Sequence, residues 1–139
     1  MSKKLARPAP AKEFYCSEWF RKARDYVEAT GCAWFILSAK YGLVAPHTVL
    51  HPYNRTLNKM LVEERRAWAS RVLSQLDTSV HALDQIIFLA GERYREFLVD
   101  ELQNRKIKVA VPMAGLGIGK QLAWLKQHSS ASAIYHRAR

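Results

Sequence analysis

Three short apolar runs, each fenced by segments of helical periodicity, constrain this chain more than any other feature. They occupy residues 32–37, 86–90 and 106–113. Each is too short for a helix, rich in residues such as Phe35, Ile36, Ile86 and Val109, and bounded by small or polar residues, as in buried strands. Around them the spacing predicts helices over 17–30, 58–76, 92–104 and 120–128. Ser17 is placed to cap the first and Gly31 to stop it, with Trp19 or Phe20, Ala23, Tyr26 and Val27 on one face. Leu61, Trp68, Val72 and Leu76 share a face of the second, and Tyr94, Phe97, Leu98 and Leu102 a face of the third. Strands alternating with helices imply crossover connections. The expected fold is therefore α/β: a small three-layer sandwich with a mostly parallel sheet of three to four strands and helices on both faces.

The 139 residues suit one domain with a real core. Residues 1–16, with Pro8 and Pro10, read as an extended arm, 41–57 as a long loop holding two prolines, and 129–139 as a poorly ordered tail or short appended helix. No apolar run is long enough to span a bilayer, and the Lys-rich start lacks the apolar stretch of a signal peptide, so no membrane partner and a cytoplasmic location are expected. Cys16 and Cys32 are too few for a disulfide framework; Cys32 reads as a core residue beginning a strand. His47 and His51 are the one histidine pair at i, i+4, and Pro46 and Pro52 argue against a regular helix there, so no metal and no cofactor are expected. The net charge of +10, from 22 basic and 12 acidic residues, points to a polyanionic partner, nucleic acid first and DNA before RNA, or else to solubility alone.

In open α/β sheets, ligands sit at the carboxyl ends of strands. Ser38, Lys40, Tyr41 and Gly42 fall at that end of the first run. The polar segment 51–57, with His51, Tyr53, Asn54 and Thr56, reads as the second wall of the same site. Lys40 and Ser38 could hold a phosphate or a base edge; the bland reading is a tight turn with a solvated lysine. Tyr41 and Tyr53 could sandwich a base, or simply cover the core. His51 could exchange a proton with a leaving base and Asn54 could hold a water or read a base edge, whereas His47 reads as a surface histidine. The glycine turn at 115–119, including Gly117 and Gly119, precedes a helix and could take an anion, or could serve close packing. It matches neither the nucleotide-triphosphate loop nor the dinucleotide motif. Gly91 and Tyr94 could line the cleft edge.

At these residues the chain resembles a bacterial and phage family known as domain of unknown function 6884. The resemblance is carried by Ala9-Pro10-Ala11-Lys12 with Phe14-Tyr15, then Ile36-Leu37-Ser38-Ala39-Lys40-Tyr41-Gly42-Leu43. Pro52-Tyr53 with Thr56-Leu57, Ala90-Gly91 with Tyr94, and Pro112 with Gly117-Ile118-Gly119 complete it. It implies an α/β domain and, more remotely, similarity to the peroxide-stress DNA-binding protein family and to uracil-DNA glycosylase-like folds. Two departures stand out. Members of the family usually open with an apolar strand and a Ser/Cys-x-x-Lys turn, so this chain, starting Met1-Ser2-Lys3-Lys4, is expected either to be trimmed or to lack that strand. Asn54 stands where the family commonly carries Asp; a carboxylate could act as a base, an amide can only orient water.

The leading expectation is a metal-independent nucleobase enzyme, a glycosylase-like hydrolase cleaving or exchanging an N-glycosidic bond. Lys40, Asn54 and His51 would be catalytic; Ser38, Tyr41, Gly42, Tyr53, Thr56, Gly91, Tyr94, Gly117 and Gly119 would bind substrate. The alternative is a non-catalytic basic module that holds nucleic acid or a nucleotide in a phage or mobile-element system. A small-nucleotide hydrolase or sensor using the glycine turn is a weaker third.

Overall fold

The computed structural model describes residues 3–80 and 83–138, with side chains described through residue 128. Among them the elements run β1 (Ala9–Pro10), α1 (Ala11–Phe14), α2 (Glu18–Thr30), β2 (Ile36–Ser38), β3 (Gly42–Val44), β4 (Val49–Leu50), a 3-10 turn (Leu57–Lys59), α3 (Val62–Ser79), β5 (Gln85–Ile87), α4 (Glu92–Asn104), β6 (Lys108–Ala110) and α5 (Ile118–Ala138). No helix among the described residues is long and apolar enough to cross a bilayer. The mixture of helices and strands is as expected; the sheet is not. In place of one mostly parallel sheet, the described residues form three two-stranded ladders, β1–β4 and β2–β3 antiparallel and β5–β6 parallel. The chain divides into two units.

The first unit comprises Met1–Phe35, Ala45–Pro52 and Met113–Arg139. Helix α2 starts and stops on the expected signals. Ser17 Oγ accepts the Phe20 amide at 3.1 Å, and Gly31 closes the helix with φ +72°, its N–H donating to the Glu28 carbonyl. Residues 3–16 are more structured than an arm. Ala9 pairs with Leu50 and Pro10 with Val49, the amides of Ala11 and Lys12 donate to the carbonyls of Thr48 and Pro46, and Leu5 donates to Phe14. Phe14, Tyr15, Phe20, Leu50 and Leu125 are buried, and the ring of Tyr15 meets Phe14 edge-on at 5.3 Å. Helices α2 and α5 are joined by the Trp19 indole N–H on Gln121 Oε1 (2.8 Å) and by the Tyr26 and Trp124 rings at 5.1 Å. Cys32 is exposed and lies ahead of β2, so its expected place in the core is corrected: Gly31 ends α2 and the chain runs unpaired to Ile36.

The second unit comprises Ile36–Val44 and Tyr53–Pro112. Its core holds Trp68, Val72 and Leu76 of α3 against Leu98 and Leu102 of α4, with Phe88 and Leu57, and Tyr94 and Phe97 partly buried against it; Leu61, expected on the same face, is instead exposed as the N-cap of α3. β5 and β6 are parallel, with α4 as the crossover between them, so the βαβ unit seen among the described residues is a local one. β2 does not join them. The pairing of Ser38 with Gly42 leaves a three-residue connection, and Gly42 has φ +78°, the left-handed conformation that returns the chain on itself. The segment expected as a loop from 41 thus opens as β3. Arg65 stitches α3 to α4: it is 7% exposed, its Nε donates to Glu96 Oε1 at 2.8 Å, and its Nη1 donates to the Met60 carbonyl at 2.7 Å.

Candidate functional site: the β2–β3 hairpin tip

Five residues singled out from the sequence meet at this hairpin in the second unit. Ser38 is 1% exposed. Its Oγ accepts the Tyr41 N–H at 3.0 Å and lies 3.0 Å from the Tyr53 hydroxyl, either oxygen being able to donate. Ser38 therefore ties the turn to the segment that begins at Tyr53. The Tyr41 and Tyr53 rings meet edge to face, 5.7 Å apart and 86° between planes. That packing fills the space between them, so the pair offers no parallel slot for a sandwiched base. Lys40 is exposed at the tip, its Nζ 5.2 Å from the centroid of the Tyr41 ring. Gly42 is buried where the returning strand begins.

Helix α3 grips the main chain of this turn. The Trp68 indole N–H donates to the Ser38 carbonyl (2.9 Å), Arg71 Nη2 to the Lys40 carbonyl (2.6 Å), and Gln75 Nε2 to the Tyr41 carbonyl (3.2 Å), while Gln75 Oε1 accepts the Leu43 N–H at 2.8 Å. Positions i, i+3 and i+7 share one helix face, so three side chains of one element hold the carbonyls of residues 38, 40 and 41. Turn carbonyls without such donors must face water. The absence of a Cβ at Gly42 makes the grip possible, because a methyl there would stand 2.3 Å from Gln75 Oε1 and 3.3 Å from Arg71 Nε.

The other anticipated residues are placed differently. Asn54 is exposed in the same unit. Thr56 caps the 3-10 turn, its Oγ1 accepting the Asn58 amide at 3.3 Å. Gly91 is the N-cap of α4, its carbonyl accepting the amides of Tyr94 and Arg95. Tyr94 packs its ring edge-on against Trp68 at 5.8 Å, supporting the indole that holds Ser38. His51, exposed like His47, belongs to the first unit, as do Gly117 and Gly119. A Cβ built at either glycine meets nothing within 4 Å, so close packing does not account for them. No cluster of three or more His, Cys, Asp or Glu side chains arranged to hold a metal ion occurs among the described residues. Trp68, Arg71 and Gln75 are the contributors that the sequence reading missed. The signal was their shared face on α3, beside Val72 and Leu76.

A family described as a family of unknown function (DUF6884) matches residues 1–127. The chain belongs to that family. Comparison with curated proteins and with solved structures returned no match.

Proposed function

We propose that the protein binds nucleic acid, DNA before RNA, through the β2–β3 hairpin tip, and does so in the cytoplasm. The observation that carries this reading is the exposed Lys40 ammonium beside the Tyr41 ring on a turn whose backbone is fixed by α3. A strand presents phosphate and base in alternation; an ammonium next to an aromatic ring meets both. A base leaning on one ring contributes on the order of 1–3 kcal/mol. The basic composition, +10 overall, supports the same partner.

Base cleavage, which the remote likeness to glycosylase-like folds suggests, is less well supported. The Ser38 hydroxyl is committed within the hairpin, and the residue after Tyr53 is an amide, Asn54, which orients water without taking its proton. The two readings separate in one assay on the whole chain. Labelled single- and double-stranded oligonucleotides are titrated by anisotropy over a salt series, and the same mixtures are treated with alkali to reveal abasic sites. The expected result is salt-dependent binding that weakens in Lys40→Gln, with no strand scission after alkali. Scission that depends on Lys40 or Asn54 would establish the enzyme instead. No binding to any oligonucleotide would sink both.

A further inference from the structure

We infer that Arg71 and Lys40 form a two-cation site for a phosphoryl group, resting on the nucleic-acid reading above and extending it to a residue on α3. Of the ten arginines with described side chains, six have a partner away from the hairpin. Arg24, Arg65, Arg93 and Arg105 each meet a carboxylate, Arg66 lies 4.2 Å over the Phe97 ring, and Arg95 donates to the Ala90 carbonyl. Neither Arg71 nor Lys40 takes part in an ion pair among the described residues. The sequence explains why. The helical neighbours of Arg71 at three and four residues are Ala67, Trp68, Ser74 and Gln75, and the segment 36–44 holds no acidic residue. The nearest acid along α3, Asp77, is taken by Arg105 at 2.9 Å.

Two uncompensated cations on flexible stems separate in water. Here Arg71 Nη2 donates to the carbonyl of Lys40 at 2.6 Å, which fixes the guanidinium at the backbone of the residue that bears the ammonium. One donor is spent on the backbone and the rest of the planar fork remains for a ligand. A tetrahedral phosphoryl group with one or two negative charges has the charge and the multiple acceptors to engage a guanidinium edge and an ammonium together. The Tyr41 ring beside Lys40 favours one that carries a base, either a phosphodiester within a strand or the terminal phosphate of a mononucleotide.

The test uses the full chain, a labelled single-stranded 12-mer, inorganic phosphate, a nucleoside 5′-monophosphate and poly-glutamate. For a strand, the slope of log Kd against log salt should fall by roughly 0.7 in Arg71→Gln and again by about that much in the double variant with Lys40→Gln. Arg71→Lys should keep the slope, and Gln75→Met, which loosens the turn without removing charge, should weaken binding at unchanged slope. For a terminal phosphate, the 12-mer slope should be unmoved while the monophosphate and inorganic phosphate raise the melting temperature of the wild type but not of Arg71→Gln. A wild type that binds the 12-mer, with Arg71→Gln matching it in slope and in phosphate response, overturns the site and leaves the nucleic-acid reading standing. Poly-glutamate bound as tightly as the 12-mer would overturn it in favour of an acidic protein partner. No binding to any probe would remove both proposals.

Discussion

Ser38 reads from the sequence as a ligand-binding hydroxyl, and in the fold it joins the hairpin turn to the segment that begins at Tyr53. Its Oγ is used twice within the protein, on the Tyr41 amide and the Tyr53 hydroxyl. Ser38→Ala takes one acceptor from a part-buried amide and one partner from a phenol, which should cost about 1–3 kcal/mol by urea denaturation; Tyr53→Phe should cost less, roughly 0.5–1.5 kcal/mol. Because both act on one contact, the double variant should fall short of the sum of the singles. Gly42→Ala should be worse than about 1 kcal/mol, since the new methyl meets Gln75 Oε1 and the φ of +78° is strained for alanine. At this scale the sequence was half legible. Ser38, Lys40, Tyr41 and Gly42 lie within one five-residue stretch, so a local reading finds them together. Trp68, Arg71 and Gln75 were not found because polar residues on a helix are ordinarily solvated, and nothing local says that a turn 30 or more residues upstream in the chain lies against them.

Between elements of the second unit, Arg65 ties α3 to Glu96 of α4 and also holds the Met60 carbonyl. Glu96→Gln leaves a nearly buried guanidinium facing a neutral partner, and with Glu96 about a quarter exposed the loss should be about 1.5–3 kcal/mol in chemical denaturation. Replacing both, Arg65→Met with Glu96→Leu, should recover most of it, because no buried charge is then stranded. In the first unit, Gly119→Ala in the first turn of α5 should raise stability by up to about 1 kcal/mol, the space around it being open. Helices α2 and α4 were legible nearly to the residue, their ends marked by Ser17, Gly31 and Gly91. The strands were not. A run such as 34–37 is equally apolar in a parallel sheet and in a hairpin, and what decides is the small, φ-permissive Gly42 after Ala39-Lys40-Tyr41, which makes the chain fold back. The ladder between residues 9–10 and 49–50 is two residues long and has no periodicity to read.

Over the whole molecule, a charge of +10 makes some affinity for any polyanion inevitable, so a claim of a local site must be separated from the background field. Lys3 and Arg7, exposed near the start of the chain, supply the comparison. Lys3→Gln with Arg7→Gln removes the same two charges as Lys40→Gln with Arg71→Gln. Anisotropy across a salt series should show the smaller loss of affinity for the terminal pair; equal losses would mean that binding follows the total field and that the hairpin has no special part in it. The way α3 takes hold of the turn has a further consequence. Trp68, Arg71 and Gln75 clasp main-chain oxygens and leave the side chain at position 40 untouched. That position is thus a socket: what projects from it can be exchanged, and the chemistry presented to a ligand altered, while the mount stays the same shape. Lengthening the connection between Ser38 and Gly42 by even one residue would put the oxygens out of step with the helix and lose the mount itself.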